Sequence, residues 1–73
     1  MEISAFKPII NDETEVTLPQ IGAIKVTTRK LGSDFYQFDI VTSDDKVQVV
    51  EKVINDHCML HIHEIPVIAA FSD

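Results

Sequence analysis

The sequence predicts an α+β fold: a small antiparallel sheet, in the order β-β-β-α-β, with one helix packed on one face. Three observations carry that prediction. Residues 21–41 read as two strands joined by a short polar loop, residues 44–57 space their apolar side chains as a helix does, and residues 59–71 are the most apolar stretch of the chain.

The N-terminal residues alternate weakly, with Ile3, Ala5 and Ile9 able to share a side. Pro8 has no amide proton to give to a ladder, so this segment is expected as an edge strand or an arm, tied down by Ile9 and Ile10. Asn11 to Glu15 is acidic and turn-like. Val16 and Leu18 flank Thr17 in a short strand that Pro19 ends, and Gln20 to Gly22 lead into the central hairpin. There, pairing Val26 with Phe38 and Ile24 with Ile40 gives one apolar face, and the opposite face sets Lys25 against Asp39 and Thr27 against Gln37. Cross-strand pairs of either kind contribute roughly 0.2–1 kcal/mol each. Gly32, within Lys30-Leu31-Gly32-Ser33-Asp34, is placed to supply a positive φ. A slip by one residue would turn Phe38 and Ile40 to water, so this register is strongly specified.

After Val41 the pattern changes. Thr42-Ser43-Asp44-Asp45 combines N-capping side chains with acids where a helix dipole favours negative charge. Val47, Val50, Val53 and Ile54 then recur at helical spacing, with Gln48, Glu51, Lys52 and Asn55 on the other side. The valines lower helix propensity. A helix from Asp44 to about His57 is nevertheless expected, because Val49 and Val50 cannot share one face of a strand. Leu60 and Ile62 next alternate with His61 and His63, as in a strand. Pro66 marks an edge, a bulge or the boundary to a second short strand. Val67 to Phe71 does not alternate, which points to cover on both faces and hence to a subunit interface.

Length and charge narrow the function. A chain of 73 residues is expected to form one domain spanning residues 1–73, a size that buries only about 60% of its unfolded surface. The hydrophobic fraction of 45% is enough for one core. Twelve acids against six bases leave a net charge of −6, which repels a phosphate backbone and argues against nucleic acid or an anionic membrane as a partner. Cys58 is the sole cysteine, so no intramolecular disulfide exists. No signal-peptide pattern and no apolar run near the ~20 residues of a membrane span are present. The expected location is therefore cytoplasmic, intracellular and reducing.

The densest cluster of reactive side chains is His57-Cys58-Met59-Leu60-His61-Ile62-His63-Glu64. In a strand His61 and His63 share a face, and with His57, Cys58 or Glu64 they could hold zinc or copper. Two histidines alone make a weak site, however, and no distant CxxC or HExxH completes it. The same histidines at an interface would make a pH switch, separating subunits on acidification. Cys58 as a nucleophile lacks a placed base, and a buried, hydrophobic role suits it better. The acids Asp12, Glu13 and Glu15, and Asp44 and Asp45, lack the spacing of a calcium loop, and they form the expected partner-binding surface. Lys25, Arg29 and Lys30 balance charge on the hairpin's polar face. With Gly22 and Gly32 the only glycines, no phosphate loop exists.

No catalytic set and no cofactor are called for. The expected function is a non-enzymatic, acidic protein-binding module, a regulator or inhibitor that occludes a larger protein through its acidic surface or an open sheet edge. Accessory proteins of viruses or mobile elements fit that description by association rather than by physics. The alternative is a homo-oligomeric structural component, dimeric or larger, that assembles through Ile65, Val67, Ile68 and Phe71. Metal binding through His57, His61 and His63 is the third reading.

Overall fold

The computed structural model describes residues 3–71, and among them all regular structure is β. The strands are β1 (Ser4–Phe6), β2 (Asp12–Leu18), β3 (Gly22–Lys30), β4 (Phe35–Val41), β5 (Lys46–Lys52), β6 (His57–Ile62) and β7 (Ile65–Ala70). The larger sheet is the antiparallel meander β2-β3-β4-β5. The smaller is β1-β7-β6, in which β6 and β7 form a hairpin and β1 runs parallel to β7. The α+β prediction is thus corrected to an all-β fold of two sheets, one of them mixed.

Alternation along each strand builds the core between the sheets. Val16, Leu18, Ile24, Val26, Phe38 and Ile40 of the larger sheet share one buried cluster with Cys58, Leu60, Ile62, Val67 and Ala69 of the smaller. Removing each large apolar side chain from water stabilises the fold by about 1.5–3 kcal/mol. Phe71, just past β7, packs on Tyr36 with ring centroids 4.5 Å apart and lies 6.2 Å from Phe38.

The predicted helix is a turn followed by β5. Asp45 N–H donates to Thr42 Oγ1 at 3.1 Å, the bond an N-cap would make. Here Thr42 N–H also donates to the Asp45 carbonyl at 2.9 Å, closing a hairpin instead. The capping signature is shared by both structures, because it concerns only four residues. What decides between them is pairing. β5 sets Val47 opposite Ile40 and Val49 opposite Phe38, and β-branched residues suit such a ladder. Val49 and Val50 do not share a face: Val49 turns inward and Val50 is exposed.

Three local expectations shift as well. In the central hairpin Val26 pairs with Ile40 and Thr28 with Phe38, two residues away from the predicted pairing. An even shift preserves which face is apolar, so the core pattern survives it. Lys25 consequently lies between Glu15 and Val41 rather than opposite Asp39, with its Nζ 3.9 Å from Glu13 in an exposed and therefore weak pair. The left-handed glycine is Gly22 (φ 91°), not Gly32. At the N-terminus the sides are reversed. Phe6 turns toward the core and Pro8 is buried, while Ile3, Ala5, Ile9 and Ile10 stay exposed. The segment is anchored by Pro8 and by Asn11 N–H donating to the Thr28 carbonyl at 2.7 Å.

Candidate functional site

An outer strand presents unpaired N–H and C=O groups, and proteins guard such edges with charge, proline, bulges or brevity. Two of the four edges here are strongly guarded. β1 has only three residues and runs into Lys7 and Pro8; β2 carries Asp12, Glu13 and Glu15. β5 has Lys46 and Lys52 at its ends and Glu51 on its inward side. β6, with the sequence His-Cys-Met-Leu-His-Ile, has no lysine, arginine, acid or proline.

The edges β5 and β6 flank one notch. Its apex is the two-residue turn Asn55-Asp56, with φ of 53° and 62°, the type I′ signature. Ile54 and His57 close this turn by exchanging two backbone hydrogen bonds of 3.0 Å. Beyond that bridge the strands part, β5 into the larger sheet and β6 into the smaller. Hydrogen-bond alternation fixes which groups face the notch. Phe71 N–H donates to the Asp56 carbonyl at 2.7 Å, so the even-numbered residues of β6 turn their backbone to β7, and Met59 and His61 turn theirs outward. Likewise Val53 N–H donates to the Asp34 carbonyl at 2.7 Å, which leaves the backbones of Gln48, Val50 and Lys52 facing the notch from β5.

The notch is apolar. Val47, on the inward side of β5, is 41% exposed at it, while Val50 and Met59, 53% and 39% exposed, turn to the outer faces of the strands that flank it and Ile54, 62% exposed, sits at the bridge. At its wide end a cavity of about 30 Å³ lies among Ile40, Thr42, Val47, His61, Ile62 and His63. On its inner wall, burial pushes the Cys58 thiol up to about 11, and the Glu51 carboxylate adds to the shift. A thiol so placed stays protonated near neutral pH and is a poor nucleophile.

The predicted site residues scatter. Asp12, Glu13 and Glu15 lie on β2, whereas Asp44 and Asp45 lie in the turn before β5, with β3 and β4 between the two groups. The row Glu15-Lys25-Val41-Lys46 places two lysines between them. Of the four predicted interface residues, Val67 is fully buried, and Ile65 and Phe71 pack against the core. Ile68 alone turns to the outer face, beside Ala5 and Met59. His57 and His61 do point outward from β6, but four residues of strand separate them by about 13 Å. His63 belongs to the turn with Glu64 (φ 51° and 66°), not to the strand face predicted for it. Among the described residues no three His, Cys, Asp or Glu side chains converge in a way that could hold a metal ion.

Sequence reasoning missed Val47, Val50, Ile54 and Met59 as surface residues. A usable signal was Asn55-Asp56, two residues tolerant of positive φ between a valine-rich run and an alternating one, which is a hairpin signature. Fold and notch together define the class: among the described residues, seven strands in two stacked sheets with one unguarded edge. Comparison with family models, with curated proteins and with solved structures found no match. Among the described residues no helix is long and apolar enough to cross a membrane.

Proposed function

We propose that the chain is a non-enzymatic protein-binding module, a small acidic regulator or inhibitor that docks on a larger protein and occludes it. One observation carries this reading: β6 is a six-residue edge without lysine, acid or proline, beside exposed valines, in a molecule whose other edges are short or charged. A protein with no use for such an edge is expected to guard it. The docking surface is therefore the notch rather than the divided acidic groups.

The test is affinity capture from host lysate at low and high salt, comparing the native chain with Met59→Lys and with the pair Asp44→Asn and Asp45→Asn. Met59 is already exposed, so the lysine variant keeps its fold. The expected result is one near-stoichiometric partner, retained at high salt and lost only with Met59→Lys. A partner lost at high salt and with the neutralised acids would return the docking surface to the acidic turn.

A second reading rests on the outer face of the smaller sheet, where Ala5, Ile68 and Met59 form a row of apolar neighbours. That face favours self-assembly of the homo-oligomeric kind. Sedimentation over a hundredfold range of concentration tests it, with Ala5→Lys expected to abolish any association. A concentration-independent monomer would leave this reading without support.

A further inference from the structure

Resting on the binding-module reading, we propose that what enters the notch is an extended segment of the partner, added to β6 as a further strand and apolar at alternate positions. The first argument is the mismatch between the sheets. Four strands face three, and the deficit falls on the β5 side. The inward residues of β2, Val16 and Leu18, are 6% and 0% exposed, whereas on the β5 side Val47 is 41% exposed and Val49 and Val53 are only half-buried. One strand laid beside β6 would lie opposite β5 and cover those valines.

The second argument is the backbone. Met59 and His61 turn two N–H donors and two C=O acceptors toward the place such a strand would take. Only an extended polypeptide offers the complementary row at the right spacing. Side chains then set the pattern. Inward positions of the added segment meet Leu60, Ile62, Val47 and Val49, and so must be apolar; outward ones lie beside Met59 and His61 at the solvent face. The segment is short, because the notch narrows toward the Ile54–His57 bridge and Glu51 occupies that half.

The probe is a synthetic peptide, acetyl-Ser-Val-Thr-Val-Thr-Val-Ser-amide, titrated into the ¹⁵N-labelled full chain, with a control of the same composition whose valines are contiguous. The expected result is that the alternating peptide slows exchange of the Met59 and His61 amides at least tenfold and moves the methyl resonances of Val47 and Val49. The control should do neither, and the β2 amides should not respond. Val47→Lys, at a position already exposed, should weaken the effect at least tenfold while leaving the spectrum folded. No change at millimolar peptide, or equal changes on β2, would overturn the proposal. Protection of Met59 and His61 that grows with protein concentration and no peptide would also overturn it, in favour of a second copy. A captured partner that is lost with Met59→Lys, yet leaves both amides unprotected in its complex, would sink strand addition while sparing the module reading. The module reading fails alone if the peptide binds as described and capture yields nothing.

Discussion

Val16 on β2 and Val47 on β5 are the same side chain on the two outer strands of one sheet, both turned toward the smaller sheet, yet Val16 is 6% exposed and Val47 is 41%. The difference lies in how the chain crosses between sheets on each side. On the β2 side the crossing runs through residues 7–11, with Pro8 buried and Asn11 bonded to Thr28. On the β5 side it is the two-residue turn Asn55-Asp56, too short to cover anything. Burial at a sheet edge is therefore set by what lies opposite, and composition alone does not decide it.

The largest effects should separate these two sides. Leu18→Ala, at a fully buried position on β2, is expected to cost about 3 kcal/mol, which lowers Tm by roughly 12–24 °C in a domain of this size. Val16→Ala is expected to cost about 2 kcal/mol, and Val47→Ala well under about 1 kcal/mol, because less methyl surface is buried there. Urea or thermal unfolding of the three variants measures this directly. Equal losses at Val16 and Val47 would mean that β5 is covered after all, and the notch would lose its basis.

A gain of stability is expected at Thr28. Its side chain is wholly buried on β3, opposite Phe38, and its hydroxyl has no hydrogen-bond partner among the described residues. Thr28→Val keeps the shape and removes the unpaired group, so it should stabilise the fold by about 1 kcal/mol. A loss on that substitution would show that the hydroxyl finds a partner in solution.

The two type I′ turns offer a finer contrast. Asn55-Asp56 at the apex of the notch uses two residues that tolerate positive φ, whereas the turn at the far end of β6 pairs His63, which tolerates it, with Glu64, which does not. Glu64→Gly should therefore stabilise by up to about 1 kcal/mol, and Asp56→Gly by less. Comparable gains at both turns would remove the distinction.

These contrasts also show what the sequence made legible. Period-two alternation marked Val16 and Leu18, Ile24 and Val26, Phe38 and Ile40, and Leu60 and Ile62, and all eight residues lie in the core. The hairpin register came out two residues away because an even shift leaves every face unchanged, so alternation cannot distinguish the two pairings. The helix expected from Asp44 to about His57 has a related cause. The capping bond at Thr42 forms in a hairpin too, and the inward Val47 and Val49 look helical once the outward face of β5 also carries a valine, Val50. Partial exposure on both faces belongs to an edge strand, and being an edge is a property of the assembled sheets. The notch was illegible for the same reason: Met59 and Ile54 acquire meaning only when β5 and β6 part after Asn55-Asp56.

The smallest effect concerns Cys58, on the inner wall of the notch. Burial pushes its thiol from 9.0 up to about 11, and Glu51 on β5 adds to the shift. Between those values the folded chain keeps a proton that the unfolded chain releases, so stability falls as pH rises through that window. Below pH 9 this contribution is fully present. Unfolding in urea at pH 8, 9.5 and 11 should show the decline, with Cys58→Ala removing its Cys58-dependent part. Glu51→Gln removes the smaller of the two causes and leaves burial in place. The decline should then still begin near pH 9 but end at a lower pH and be smaller in total, and reaction of the thiol with a disulfide reagent at pH 9 should quicken modestly. An unchanged profile for Glu51→Gln would place that carboxylate away from the thiol, and Glu51 would then no longer mark the narrow end of the notch.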